Sequence, residues 1–118
     1  MHVELRKAGE VVVVDLVGKL TAGLGDLLLR ETLEQLLADR HKKILVNLSQ
    51  VAFIDSAGVG ELVAGLRACQ REGSALKILN SSERVNSTLY LARLLPIFEV
   101  YQDEHDALQH FVSAAGPS

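Results

Sequence analysis

The sequence has few of the features that disulfide-linked, nucleic-acid-binding or membrane-spanning proteins need. Its single cysteine, Cys69, cannot form an internal disulfide. A formal net charge of −3 gives no electrostatic basis for holding a phosphate backbone, so we expect no direct binding to nucleic acid. No apolar run approaches the ~18 residues of a membrane span. The N-terminus also shows no charged-then-apolar leader. We therefore expect a cytoplasmic protein without a membrane span.

Aromatic residues are also scarce, since the chain has no tryptophan, two tyrosines and three phenylalanines. Apolar residues nevertheless make up 48% of its 118 residues, which is enough for one sizeable core built mainly from Leu, Val, Ile and Ala. We find no linker, internal repeat or low-complexity segment that would divide the chain. We therefore predict one domain over residues 1–112 and a flexible tail of small and polar residues at 113–118.

Hydrophobic periodicity predicts an alternation of strands and helices. Only Ala8 to Glu10 separates an alternating N-terminal segment from a valine-rich run, which predicts an antiparallel hairpin. A leucine stripe at positions 29, 33, 36 and 37 predicts a first helix, with Asp26 as its N-cap. The predicted fold is α/β: a single mixed β-sheet with that hairpin at its start and about four helices packed on it. The predicted strands are residues 2–7, 11–17, 44–48, 76–79 and 97–101, and the third of them continues toward residue 54. Three later helices are predicted: one after Ser56, one from Val85 to Ala92, and one after Asp103.

The most informative pattern lies at residues 51–62. An apolar strand-like segment ends there, Asp55 and Ser56 follow, and a glycine-rich stretch then recovers helical periodicity. This order places Asp55 and Ser56 where a helix begins, beside backbone N–H groups that lack intrahelical partners. Ser56 has two open interpretations. It is either an ordinary N-cap serine or a residue that receives a phosphoryl group, whose charge of about −1.5 to −2 a helix N-terminus tolerates.

Other chemistries fail at named positions. The nucleophile elbow of a hydrolase needs glycine two residues before and after its serine, and the earlier position is Ile54. Gly60 and Gly65 have the spacing of a phosphate loop, but the next two residues are Leu and Arg instead of Lys and Ser or Thr. His105 and His110 are not at same-face helical spacing and have no accompanying Cys/His cluster. We therefore predict no catalytic residue and no metal site.

Three glycines, Gly58, Gly60 and Gly65, fall within eight residues of the same predicted helix. Each costs roughly 0.8 to 1 kcal/mol relative to alanine inside a helix, so their presence needs a reason. Close approach of another backbone would supply one. That backbone belongs either to this protein's own sheet or to a partner, and the sequence does not separate the two.

The motif and its surroundings resemble a known family. Asp-Ser-Ala-Gly-Val-Gly at 55–60, preceded by Val-Asn-Leu-Ser-Gln-Val-Ala-Phe-Ile, resembles the signature of the STAS family, and specifically that of the bacterial anti-sigma factor antagonists. The order of elements is also that of the family, so the likeness covers roughly residues 3 to 112. The flanking matches are Gly18-Lys19-Leu20, Leu45-Val46-Asn47-Leu48 and Leu79-Asn80-Ser81.

The resemblance implies a binding module that phosphorylation controls and that is not itself an enzyme. In that family the serine matching Ser56 is the phosphoacceptor, and Asp55, Ala57 and Gly58 would shape the site. The unphosphorylated form would bind an anti-sigma factor serine kinase and so release a sigma factor. Phosphorylation by that kinase, which consumes ATP, would end the binding, and the chain itself would need no cofactor. The residues that we expect to face the partner are Thr21, Gly23, Gly25, Val59, Gly60 and Glu61.

Two positions depart from the family pattern. Members commonly have Asp where this chain has Thr21 and Asn47, and Thr21 lies in a loop that we expect near Ser56. One alternative is a STAS accessory or scaffold protein, for example bound to the ATPase of a lipid-transport complex, in which Ser56 acts only as a cap. A weaker alternative is a sensor of a small molecule or nucleotide. A homodimer through the first helix is also open, at Leu24, Leu27 and Leu28.

Overall fold

The fold is a five-stranded β-sheet with helices on both of its faces. The computed structural model describes residues 1–80 and 97–114. In chain order the elements are β1 (His2–Ala8), β2 (Val11–Leu20), α1 (Gly25–Ala38), β3 (Lys43–Ile54), α2 (Ser56–Arg71), β4 (Ala75–Leu79), β5 (Val100–Tyr101) and α3 (Glu104–Ala114).

The strands follow one another across the sheet in the order β1-β2-β3-β4-β5. β1 and β2 form an antiparallel hairpin, and each later strand pairs in parallel with the one before it. Ala8 pairs with Val11, so the turn consists of Gly9 and Glu10, and the φ of Gly9 is +63°. A glycine with positive φ at the first position of a two-residue turn is typical of a hairpin whose strands keep their natural twist. The predicted hairpin and mixed sheet are confirmed.

The valine-rich start of β2 contributes to both sides of the core. Val12 and Val14 pack into a large cluster between the sheet and the pair α1 and α2. Val11 and Val13 pack into a smaller cluster under α3. Because this strand is covered on both faces, it needs apolar residues at consecutive positions, which is the pattern that the sequence shows.

α1 and α2 lie side by side on one face of the sheet. The predicted stripe of α1 is buried at Leu29, Leu33 and Leu36, and α2 buries Leu62 and Leu66 against the same cluster. These helices place the first turn of α2 directly above the ends of β2 and β3, where the candidate site lies.

The predicted N-cap of α1 at Asp26 is wrong. The helix begins at Gly25, its N-cap position is Leu24, and no side chain caps it. Gly25 lies against β2, and a Cβ atom there would come 2.5 Å from the carbonyl oxygen of Lys19, so the position needs a glycine. Asp26 instead lies inside the first turn, and its Oδ1 accepts a hydrogen bond from the N–H of Leu27 at 2.8 Å.

The C-terminal part agrees with the predictions only in part. The predicted cap of the last helix is confirmed, because Asp103 Oδ2 accepts a hydrogen bond from the N–H of Asp106 at 2.9 Å. The last strand is shorter than predicted and covers only Val100–Tyr101. α3 continues through Ala114, so the first two positions of the predicted tail are helical, and residues 115–118 lie outside the described part.

Three helices lie within the described residues, against about four predicted. The remaining predicted helix, from Val85 to Ala92, lies outside the described residues. None of the helices that the structure describes is long and apolar enough to cross a membrane.

Candidate functional site

The candidate site lies where β2 and β3 end and α2 begins. The two strands are parallel, and their last residues, Leu20 and Ile54, are partners in the register. Because the carboxyl ends of parallel strands meet at one edge of the sheet, the loop that starts at Thr21 lies beside Asp55 and Ser56. The expectation that this loop lies near Ser56 is confirmed.

Asp55 ties the loop to the helix. Its Oδ1 accepts a hydrogen bond from the N–H of Gly58 at 2.9 Å, and its Oδ2 accepts one from the N–H of Ala22 at 3.0 Å. Its own N–H donates to the carbonyl oxygen of Leu20 at 3.3 Å. The N–H groups of Ala22 and Gly58 lower the pKa of the Asp55 carboxyl, so it is an anion at neutral pH.

Ser56 is not the N-cap of α2. That position belongs to Asp55, in extended backbone conformation, and Ser56 is the first residue of the helix. The Ser56 side chain is exposed, and within the described residues its hydroxyl makes no hydrogen bond. The interpretation of Ser56 as an ordinary N-cap serine is therefore wrong, whereas the capping role considered for Asp55 is confirmed.

The structure separates the three glycines of α2 by their surroundings. A Cβ atom on Gly58 would lie 2.2 Å from the carbonyl oxygen of Leu20, and one on Gly65 would lie 2.5 Å from Cδ1 of Leu33. The backbone of β2 therefore requires glycine at position 58, whereas at position 65 the neighbour is the end of a side chain that would have to move. A Cβ atom on Gly60 would meet nothing within 4 Å among the described residues, so only this glycine still lacks an internal reason.

The loop residues predicted to face a partner fall into two groups. Gly23 is exposed and has a φ of +110°, a conformation that glycine adopts readily. Thr21 is half-buried, and its carbonyl oxygen accepts a hydrogen bond from the N–H of Asp26 at 3.0 Å. Gly25 is buried against β2, and its assignment to the partner face stays a prediction.

The predicted partner residues on α2 also differ from one another. Gly60 is exposed, whereas Val59 is half-buried and packs on the large core cluster. Ala57, predicted to shape the site, is half-buried in the first turn of the helix. Glu61 forms an ion pair with Arg30 of α1, with Arg30 Nε donating to Glu61 Oε1 at 3.0 Å, and only 12% of the Glu61 side chain is exposed. Glu61 therefore joins the two helices instead of presenting a free charge.

Asn47 lies away from this site. It is located seven residues before the end of β3, roughly 20 Å along the strand. Its Nδ2 donates to Asp15 Oδ1 at 2.8 Å, and its Oδ1 accepts from the N–H of Ser49 at 2.9 Å. An aspartate there would place two carboxylates together, so the amide at this position serves the pairing of β2 with β3. The departure from the family pattern at Asn47 therefore lies at the pairing of β2 with β3, away from Ser56.

Sequence reasoning missed several contributors to the site. Ala22 and Leu20 act only through backbone atoms, so their side chains carry no signal. Two large apolar residues close to the site in the sequence are exposed, Leu24 by 80% and Phe53 by 52%. Phe53 was available as a signal, because it directly precedes the strand end at Ile54 and alternation places it away from the core. No group of three or more potential metal ligands occurs among the described residues.

The sequence matches one family model and resembles known anti-sigma factor antagonists. The STAS domain model matches residues 2–107. An anti-sigma-B factor antagonist of Staphylococcus aureus is 32% identical over 72 residues, which cover 61% of this chain and 67% of that protein. An anti-sigma F factor antagonist of Paenibacillus polymyxa is 22% identical over 108 residues, which cover 92% of each chain.

Solved structures share the fold. An anti-sigma factor antagonist from Mycobacterium paratuberculosis is similar with a TM-score of 0.77 at 21% identity, over 92% of both chains. The Bacillus protein SpoIIAA in its phosphorylated form has a TM-score of 0.69 at 21% identity, over 93% of this chain and 99% of that one. SpoIIAA, an anti-sigma factor antagonist, has a TM-score of 0.70 in its unphosphorylated form at 19% identity, over 93% and 97% of the two chains. With a family model that spans nearly all of its length, the chain belongs to the STAS domain family.

Proposed function

We propose that this chain is an anti-sigma factor antagonist whose binding to an anti-sigma factor serine kinase is switched off by phosphorylation of Ser56. In this proposal the unphosphorylated protein occupies the kinase and so releases a sigma factor. The observation that carries it is the exposed hydroxyl of Ser56, which the fold does not use, at the start of α2. The protein acts as a substrate and a binding module with no catalytic role and no cofactor of its own, and the kinase supplies the ATP.

The position of Asp55 determines where the phosphate would point. Its carboxylate already accepts hydrogen bonds from Gly58 in the first turn and Ala22 in the loop. A phosphate on Ser56 would therefore compete with a neighbouring anion for the helix N-terminus, and we expect it to lie in solvent. Phosphorylation would change the local charge from −1 on Asp55 to about −2.5 to −3 in total.

The surface around Ser56 suits a partner that packs against a neutral hydroxyl. Gly23 and Gly60 are exposed beside it without bulky side chains, and Leu24 and Phe53 supply exposed apolar area. A partner that buries this area against Ser56 would have to desolvate a phosphate dianion after modification, which is costly. The switch therefore acts at the docking surface and requires little rearrangement inside the protein.

The names of the relatives support this proposal, because curated antagonists match 92% and 61% of the chain. SpoIIAA supports the second half of it. That protein has been solved in phosphorylated and unphosphorylated forms, and this chain is almost equally similar to both. The phosphorylated form of that protein therefore keeps a fold like that of this chain.

The test is to co-express the chain with the anti-sigma factor serine kinases encoded by its source genome and to measure intact mass. We expect wild type to gain one phosphate and Ser56→Ala to gain none. Ser74→Ala is the matched control, because the Ser74 hydroxyl is bound to the carbonyl oxygen of His41 beyond the other end of α2, and it should be modified like wild type. Co-purification should show that unphosphorylated wild type and Ser56→Ala retain the kinase while Ser56→Asp does not.

Two results would contradict the proposal. Phosphate on a residue other than Ser56 would remove the assigned site. A wild-type chain that no anti-sigma factor kinase modifies or binds, but that co-purifies with the ATPase of a transport complex, would favour the accessory alternative. Whichever result is found, the free energy of unfolding of Ser56→Ala should lie within about 0.5 kcal/mol of that of wild type, since the Ser56 hydroxyl has no partner in the described structure.

A further inference from the structure

The outer edge of the sheet at β1 is open. β1 pairs with β2 on one side, and within the described residues no strand pairs with its other side. The two described positions that bracket residues 81–96 are Asn80, which follows β4, and Ile97, which precedes β5, so both adjoin strands at the opposite edge. An unpaired edge of seven residues presents a row of free N–H and C=O groups to another strand.

The turn fixes which backbone groups point outward. Ala8 and Val11 close a two-residue turn and exchange hydrogen bonds with each other, and along an antiparallel pair such bonds recur at every second residue. Arg6, Glu4 and His2 therefore bond to β2. The N–H and C=O groups of Val3, Leu5 and Lys7 consequently face the open edge.

Leu5 makes this edge apolar as well as open. Its side chain is 54% exposed, on the face of the sheet that carries α1. It borders an open groove of about 360 Å³ between β1 and α1, which Leu28 and Leu36 also line. Edge strands are usually protected by proline, by charges or by a cover. β1 has no proline, and its central charges, Glu4 and Arg6, lie on the opposite face of the sheet from Leu5, so the face that carries Leu5 has no charge at its centre.

We propose that a second copy of this chain pairs with β1 in antiparallel orientation, with Leu5 opposite Leu5 of the partner subunit. This register joins the outward backbone groups of Val3 and Lys7 to the partner's Lys7 and the partner's Val3, and those of Leu5 to their own symmetry mates. On the other face of the sheet it places Glu4 opposite the partner's Arg6, a pair of complementary charge, and in each copy Arg6 also forms ion pairs with Asp15 and Glu104 of its own chain.

The other symmetric registers fit less well. Centring the pair on Lys7 would place two ammonium groups directly opposite each other, which is destabilising. Centring it on Val3 would shorten the overlap and leave Leu5 without its mate. Only the register centred on Leu5 pairs all seven residues of β1. It gives a dimer with C2 symmetry, which is the commonest symmetry of homo-oligomers.

The dimer would leave the candidate site free. β2 lies between β1 and the strand β3 that leads to Ser56, so the paired edge and the start of α2 are separate surfaces. The two copies of α1 would flank the symmetry axis on the same face of a continuous ten-stranded sheet, twice the five strands of one copy. The interface thus uses Leu28 of the first helix, and it does not depend on the role proposed for Ser56.

Sedimentation velocity of the purified chain over a range of concentrations provides the first test. We expect a reversible dimer, and we expect Leu5→Lys to weaken it at least tenfold because it places two like charges on the axis. Leu5 is largely exposed, so this variant should keep the circular dichroism spectrum of wild type. Ile97→Lys is the matched control, since Ile97 is 51% exposed at the opposite edge, and it should dimerise like wild type. A monomer at every concentration, a dimer that Leu5→Lys does not affect, or equal loss in both variants would overturn the proposal.

Crosslinking tests the register. In a hydrogen-bonded antiparallel pair the Cα atoms lie about 5.5 Å apart, within the range of a disulfide. Leu5→Cys should therefore form a disulfide-linked dimer under mild oxidation. Val3→Cys should not, because its two copies would be roughly 14 Å apart along the ladder. The native Cys69 is buried and serves as an internal blank. A linked dimer of Val3→Cys without one of Leu5→Cys would refute this register.

Discussion

Replacing each of the three glycines of α2 by alanine should give three different changes in stability. Gly58, Gly60 and Gly65 share one helix, and in each case the substitution adds a single methyl group. Their intrinsic helix propensities alone would predict that every variant is stabilised by roughly 0.8 to 1 kcal/mol. Differences between them therefore report what the added methyl group touches.

Gly58→Ala should destabilise the protein. Its Cβ atom would lie 2.2 Å from the carbonyl oxygen of Leu20 and 2.8 Å from the Cγ of the same residue. The carbonyl group belongs to the last residue of β2 and also accepts a hydrogen bond from the N–H of Asp55, so it cannot withdraw without disturbing the site. Overpacking of this kind costs about 1 to 3 kcal/mol, which exceeds the gain in propensity. Set against a gain of roughly 0.8 to 1 kcal/mol, this leaves a net loss of up to about 2 kcal/mol.

The other two variants should differ in sign and size. Gly60→Ala adds a methyl group that meets nothing within 4 Å among the described residues, so we expect a gain of about 0.5 to 1 kcal/mol. Gly65→Ala would approach Leu33 Cδ1 at 2.5 Å. Because that atom is the end of a side chain that can rotate, we expect a change within about 1 kcal/mol of zero.

Urea unfolding followed by circular dichroism measures all three variants on one scale. We expect the order Gly60→Ala, then Gly65→Ala, then Gly58→Ala, from most to least stable. A Gly58→Ala variant as stable as wild type would refute the close approach of β2 to α2. A destabilised Gly60→Ala would show that the open space at this position is occupied in the folded protein.

Three further predictions concern ionisable groups and the cysteine. Hydrogen bonds, chiefly from the N–H of Ala22, hold the pKa of Asp55 below its usual 3.8, so this residue stabilises the fold above that pH and the contribution is lost as pH falls through the lowered pKa. Asp55→Asn should therefore flatten the acid side of a plot of urea midpoint against pH. An unchanged curve would contradict this. Burial raises the pKa of the Cys69 thiol to about 11, so a thiol reagent at pH 8 should label it only in urea, and rapid labelling of the native protein would disagree. Burial lowers the pKa of Lys77, which pairs with Glu99. Glu99→Gln leaves the buried ammonium without its carboxylate, so it should cost about 1 kcal/mol in urea unfolding, and Lys77→Met, which removes the ammonium, should cost less. The reverse order would count against a costly buried ammonium.

The sequence was sufficient to predict the features that arise from local patterns. Alternation and turn length predicted the β1–β2 hairpin, and the leucine stripe predicted α1. The polar pair between strand and glycine-rich helix identified the start of α2, and Asp55 was already a candidate cap. Each of these depends on residues within a few positions of one another, so one chain carries the whole signal.

The remaining features depend on contacts between distant segments. The need for glycine at position 25 comes from close packing on the carbonyl oxygen of Lys19, which no capping pattern reveals. Arg30 and Glu61 are 31 residues apart and meet only because α1 and α2 lie side by side. The cause of each glycine in α2 was likewise undetermined until the neighbouring strand and helix were in place.

If Ser56 is phosphorylated as proposed, its position next to Asp55 explains how the modification spares the fold. Both carboxylate oxygens of Asp55 hold backbone N–H groups, so the cap and the link to the loop are complete without Ser56. If the serine itself were the N-cap, a phosphate on it would remove a capping bond worth about 1 kcal/mol at the same moment that it altered the surface. Displacing the hydroxyl by one residue separates the two effects, because the fold depends on a residue that is not modified. Exchanging the two residues, as Asp55→Ser with Ser56→Asp, should therefore weaken both the link to Ala22 and the switch, while Ser56→Thr should preserve both.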